Sequence, residues 1–253
     1  MIDLNDEKQK YFYLGKCVSG KPVDFYGEKI YQPTVDEVFE MGEDTYYEFL
    51  SPFIVGRGLY NAPDDMNTYE CIMNNKKMTV NLIMAINYFL KIDNVRIYEC
   101  RSLSKKLGRP VNQIILNDRL IIDNNKFEEL KQIILLICNT KEVDKDDIEN
   151  DSFKCKDSKY NEKVSKLLEN RSKSIKKQNE IKKVKLMNVY DYIVHSQNII
   201  DYDAPLKWTI YQIYNTYKNL HIKEGVTFTY SVASNGLLDK DQKLKQLSDE
   251  IAK

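Results

Sequence analysis

Histidine is almost missing from this chain. His195 and His221 are the only two, too few for a histidine-rich metal site or a catalytic triad centred on imidazole. Neither has an H-x-x-x-H or H-E-x-x-H partner. Arginine is scarce as well: six of the 38 basic residues are Arg, although the planar guanidinium is the group best suited to bidentate base reading. Net charge is absent, because 38 Lys+Arg meet 38 Asp+Glu. That total excludes a polycation whose affinity comes from bulk charge. No apolar run reaches the ~20 residues that span a bilayer, and the longest, around Leu82–Leu90 and Ile133–Cys138, have the length of buried helices. The start, Met1-Ile2-Asp3-Leu4-Asn5-Asp6, is polar, so no signal peptide is expected. The five cysteines, Cys17, Cys71, Cys100, Cys138 and Cys155, contain no C-x-x-C pair and are odd in number. They read as free thiols in a reducing compartment. The patterns G-x-S-x-G, G-x-G-x-x-G and D-F-G, and paired catalytic carboxylates, are all missing.

What remains is a 253-residue chain, 30% charged and 42% hydrophobic, of soluble globular composition. Its richness in Lys, Asn, Ile and Tyr is what AT-rich coding DNA produces, and points to a low-GC bacterium or one of its viruses. Residues 10–33 read as strands: Tyr11–Leu14 first, then Val23–Phe25 and Ile30-Tyr31 around a turn at Gly27, with Pro33 ending the run. Thr34-Val35-Asp36-Glu37 is a capping box for a short helix that stops at Gly42. A second helix, from about Asp44 to Leu50, is expected to end at Ser51-Pro52, and Gly56, Gly58 and Pro63 mark a loop. Leu82, Ile83, Ile86, Phe89 and Leu90 share one face of a helix over 78–92. Val95–Cys100 alternates as a strand. Ile114–Leu116 and Leu120–Ile122 flank Asn117-Asp118-Arg119 as a hairpin, and Asp123–Asn125 caps a helix to about Cys138.

After Asn139 the composition changes. Six acidic residues stand against one Lys between Glu142 and Asp151, then twelve Lys/Arg against four Asp/Glu between Lys154 and Lys185. The spacing predicts a basic helix there with an apolar stripe of Tyr160, Val164, Leu167, Leu168, Ile175 and Ile181. Helices are expected again over 189–200, 209–221 and 239–251. The chain therefore divides into an α+β domain (1–140), an acidic linker (141–158) and a helical region (159–253). The predicted class is α+β, with a small N-terminal antiparallel sheet, covering helices and a mainly helical C-terminal part.

Four short patterns carry candidate chemistry. Gly15–Pro22 approaches a P-loop, but Pro22 stands where the Mg²⁺-binding hydroxyl belongs and a strand follows instead of a helix, so a plain turn is the better reading. Ser104, Gly108 and Ile114 have helix-turn-helix spacing, with Lys105, Lys106 and Arg109 placed to meet phosphates. The hairpin reading of the same residues competes with it. The acidic run lacks the glycine turn and closing Glu of an EF-hand loop. The basic stretch 154–185 holds one aromatic, Tyr160, and no interleaved series of them, which weakens single-strand binding by stacking and favours a solvated or protein-contact face.

Several segments resemble a group of tailed-phage proteins of low-GC Gram-positive hosts, encoded among tail genes. They are Lys21-Pro22-Val23, Ile30–Glu37, Gly42-Glu43-Asp44, the 114–123 hairpin, the lysine-rich helix expected after the linker, and Ser234–Asp239. The loop 54–76 and the tract 142–158 lie outside the likeness. The resemblance supports the hairpin at 113–123 and transfers no catalytic residue. It implies a non-enzymatic protein of tail or virion assembly, chaperoning or contacting tail components such as the tape-measure or tail-tube protein, in the host cytoplasm or the virion. Partner contacts are then expected on helices 159–184 and 209–221, through Tyr160, Val164, Leu167, Leu168, Trp208, Tyr211, Tyr214 and Tyr217. Ordinary core packing is the competing reading of these aromatics. The contrasting readings are a DNA-binding regulator using 103–118 and a neck or baseplate component. No catalytic residue, cofactor, metal or membrane contact is expected. Nucleic acid is disfavoured, and self-association is compatible with this reading.

Overall fold

Asp6 opens the first element, its carboxylate accepting from the Lys8 N–H at 2.9 Å. In the computed structural model, which describes residues 6–60, 63, 65–143, 185–197, 199 and 201–234, this cap starts helix α1, Glu7–Ser19. The strand expected at Tyr11–Leu14 is therefore a helix. Caps at both ends outweigh the strand propensity of three aromatics: Asp6 and Glu7 sit at the positive end, Lys16 in the last turn, and Gly20 takes the left-handed C-cap (φ 66°). Tyr13, Leu14 and Cys17 face inward, while Tyr11 and Phe12 point to solvent.

The hairpin β1 (Val23–Phe25) and β2 (Glu28–Ile30) follows, antiparallel, with Val23 opposite Ile30. Tyr26 and Gly27 both have positive φ (49° and 88°), the geometry whose twist matches the flanking strands. The Thr34/Glu37 capping box is present and starts α2, Val35–Met41. Helix α3, Glu43–Ile54, runs through Ser51-Pro52 instead of stopping there. Pro52 has no N–H for the Glu48 carbonyl, and the Ser51 hydroxyl donates to that carbonyl at 2.7 Å.

The loop expected after Gly56 contains a short buried helix, α4 (Thr68–Met73), with a capping box of its own from Asn67 and Glu70. Helix α5 (Lys76–Leu90) packs on α3 and α4. A three-stranded antiparallel sheet comes next, in the order β3 (Val95–Glu99), β4 (Asn112–Leu116), β5 (Leu120–Ile122), with α6 (Arg101–Leu107) between β3 and β4. Asn117 and Asp118, both at positive φ, turn the β4–β5 hairpin. Asp123 caps α7, Asn124–Ile137. The α+β class is thus observed, with two small antiparallel sheets among helices.

Phe127 of α7 stacks on Phe53 of α3 (ring centroids 6.0 Å) and on Tyr69 of α4 (5.0 Å), and Phe53 meets Phe89 of α5 edge-on. Ile114, Leu116 and Ile122 bring the inner face of the sheet onto this cluster. The Tyr69 hydroxyl enters the sheet itself: it accepts the Ile114 N–H (2.9 Å) and donates to the Ile122 carbonyl (2.8 Å). Tyr69→Phe would leave both backbone groups buried without partners, so a loss of about 1–3 kcal/mol is expected. Chemical denaturation checks the loss, and hydrogen exchange should show the Ile114 amide deprotected more than its neighbours.

After Val143, which bridges in parallel to Val55, the description resumes at Lys185. Helix α8 is Leu186–Ser196 and α9 is Ile210–Ser234. The latter continues through Gly225, where the composition suggested a break. The predicted helix 239–251 and the predicted basic helix lie outside the described residues. Leu186, Val189, Ile193, Ile210 and Ile213 belong to the same buried cluster as Phe53 and Ile114. Backbone bonds hold them there: Val35 N–H donates to Trp208 O and Ile210 N–H to Pro33 O, each at 2.9 Å. Helices α8 and α9 thus share the core of residues 6–143.

Candidate functional site

The residues singled out for phosphate contact fall on and beside α6. Lys105 and Lys106 are exposed there. Arg109 is not available in the same way: it forms ion pairs with Asp65 and with Glu70 (3.0 Å) and holds the 65–70 segment against the sheet. The second helix of a helix-turn-helix is absent, because Asn112–Leu116 is β4. Ile114 and Leu116 point into the core and pair across to Ile122 and Leu120, so this segment presents no recognition face. The Gly15–Pro22 pattern is the end of α1, closed by Gly20, and β1 follows it where a P-loop would open a helix.

The partner-contact residues separate into two groups. Tyr160, Val164, Leu167 and Leu168 lie outside the described residues. Trp208, Tyr211, Tyr214 and Tyr217 are half-buried and pack against the core. Tyr217 meets Tyr192 of α8 edge-on at 5.3 Å. Burial, with Tyr47 close by, raises the Tyr214 hydroxyl well above its ordinary pKa. Core packing accounts for most of these four. Trp208 and Tyr211 also line an open groove, of about 260 Å³, with Val18, Gln212, Asn215 and Thr216.

No protein-family model matches the chain, and no curated relative or solved structure was found for it.

Among the described residues no group of three His, Cys, Asp or Glu side chains is placed to hold a metal. Burial pushes the Cys17 and Cys138 thiols up to about 12, so neither is a thiolate nucleophile near neutral pH. His221 is held between Tyr192, on which it stacks at 4.9 Å, and Tyr217. A cleft of about 900 Å³ is lined in part by charged groups that serve the fold. Lys77 pairs with Glu48 at 3.3 Å, and Glu43 accepts the Leu186 N–H at 2.9 Å, where α8 begins. The Arg119 guanidinium, bonded to Glu28, holds that carboxyl below the usual range and ties the two hairpins together.

The surface that stands out is apolar. Strand β3 lies at the sheet edge, with Ile97 50% and Tyr98 46% exposed. Helix α6 has no buried residue, and Leu103 and Leu107, one turn apart, face solvent. Arg101, Lys105 and Lys106 flank them. Sequence alternation places a strand at 95–100 but does not say that it is an edge. The outward aromatics of α1, Tyr11 and Phe12, were hidden by reading that segment as a strand.

Proposed function

We propose that this chain is a non-enzymatic tailed-phage protein that acts in tail or virion assembly by binding tail components. Its resemblance to tail-region proteins supports the phage setting. The observation that carries the binding role is the exposure of Leu103 (37%) and Leu107 (45%) on a helix with no fully buried residue. Apolar surface of this kind, ringed by basic side chains, suits reversible capture of a partner with apolar and acidic residues. At ~25 cal/mol per Å², a contact of a few hundred Å² gives a bond that can be released as the tail closes. The tape-measure protein, a long helical chain in need of cover before assembly, is the favoured partner, with the tail-tube protein next.

Co-expression with the tape-measure protein of the same genome tests this. Co-purification and a gain in the partner's solubility are expected, and both should be lost in Leu103→Glu/Leu107→Glu. Because neither leucine is buried, that double variant should keep the wild-type melting temperature. No co-purification with either tail protein would overturn the proposal.

A further inference from the structure

The outer edge of β3 is unpaired among the described residues. The backbone bonds at its two ends fix which groups point outward. Cys100 N–H donates to Val111 O (2.8 Å) and Asn117 N–H to Asn94 O (3.0 Å), in line with the β3–β4 register that sets Ile97 opposite Ile114. Hydrogen-bonded and non-hydrogen-bonded pairs alternate along an antiparallel ladder. Arg96 and Tyr98 therefore bond to β4, while Val95, Ile97 and Glu99 turn their carbonyls to the open side. The Val95 N–H turns back to Asp93 O at 3.2 Å, which leaves the N–H groups of Ile97 and Glu99 facing out. No proline or lysine lies within Val95–Glu99 to block pairing there, though sheet edges are commonly protected in that way.

We infer that β3 pairs antiparallel with β3 of a second copy of this chain, about a two-fold axis through Ile97, joining two three-stranded sheets into one of six strands. An axis normal to the sheet keeps every residue on its own face, so paired positions differ by an even number. An axis at Arg96 would set two guanidinium groups against each other. One at Tyr98 would set Ile97 against Glu99. An axis at Ile97 sets Ile97 on itself and Arg96 on the partner's Tyr98 ring, and brings the bend at Asp93 toward the start of the partner's α6, at Arg101. Asp93 and Arg101, which flank the strand and are both exposed, so become complementary charges, repeated twice by symmetry. The Ile97 N–H then meets the partner's Ile97 carbonyl, and the Glu99 N–H the partner's Val95 carbonyl. The inference does not depend on the tail-assembly reading.

Sedimentation velocity over a range of concentrations tests it on the full chain. Wild type is expected to show a concentration-dependent dimer. Ile97→Pro removes an outward N–H that β4 does not use, a position where an edge strand tolerates proline. It should weaken the dimer by about tenfold or more with an unchanged far-UV circular dichroism spectrum. Asp93→Arg and Arg101→Asp, which need no change in the strand, should each weaken it, and the double swap should restore it. A wild type that stays monomeric, or a dimer indifferent to Ile97→Pro or to the charge swaps, would overturn the inference. A monomeric chain that still captured the tape-measure protein would overturn it while leaving the proposed function standing.

Discussion

Phe127→Ala is expected to cost about 3–5 kcal/mol, a large fraction of the total stability of a domain. The ring is fully buried and lies between Phe53 and Tyr69, with centroids at 6.0 and 5.0 Å. Its removal deletes the transferred apolar area and two stacking partners, and leaves a cavity where α3, α4 and α7 meet. Those helices carry the sheet on one side, so the cavity cannot close without moving β5. Tyr69 would be released with it, and its hydroxyl bonds to Ile114 and Ile122 would weaken. The loss should therefore exceed that of Tyr69→Phe. Urea denaturation of the two variants and their double mutant measures it, and coupling between the sites should appear as non-additivity. A Phe127→Ala cost below that of Tyr69→Phe would show that the stack is not the centre of the core.

The second large effect lies far along the chain. Ile213→Ala should cost about 2–5 kcal/mol and should lower the stability of the whole structure at once. Ile213 is fully buried on α9 and belongs to the cluster that contains Phe53 and Phe127. Backbone bonds link the Pro33–Val35 segment to Trp208 and Ile210, and the Gln212 side chain donates to Val18 O at 2.8 Å. If α8 and α9 formed a separate unit, Ile213→Ala would melt only the helical signal of residues 185–234. Shared packing predicts a single transition, followed equally by far-UV circular dichroism and by near-UV signals of the tyrosines around Phe127. Two separated transitions would refute it.

How much of this was legible beforehand differs from element to element, for physical reasons. The capping box at Thr34, the turn at Asn117-Asp118 and the apolar faces of α5 and α7 are local signals, and local chemistry decides them. The helix α1 shows a limit of propensity: Tyr11, Phe12 and Tyr13 favour strands, yet Asp6, Glu7 and Gly20 close a helix around them. Pro52 shows another. A proline predicts a stop, but Ser51 supplies the missing donor to the Glu48 carbonyl from the preceding position. The helix-turn-helix spacing at 104–114 failed because the pattern is short, and because β4 gains more by burying Ile114 and Leu116 than a surface helix would.

Long-range placements left no local trace. Nothing near Tyr69 announces that its hydroxyl completes a sheet about fifty residues away. Nothing in Val95–Glu99 distinguishes an edge from a central strand, because both alternate. The four aromatics at 208–217 read from sequence either as partner contacts or as core, and in the structure they pack half-buried against the core. Their mean exposure was ambiguous from sequence because a tyrosine serves a core and an interface with the same ring.

The bond from Gln212 to the Val18 carbonyl joins positions 194 residues apart. Translation therefore reaches α1 and the first hairpin long before their partners on α9 exist. While the ribosome is still working, Cys17, Val35 and the inner side of α7 have no cover from that direction. Folding of the N-terminal half must wait in a partly open form, and the closing step is set by synthesis and by a long loop closure instead of by local helix formation. A nascent chain stalled before residue 205 should accordingly be readily digested by protease, and one released past residue 213 should resist.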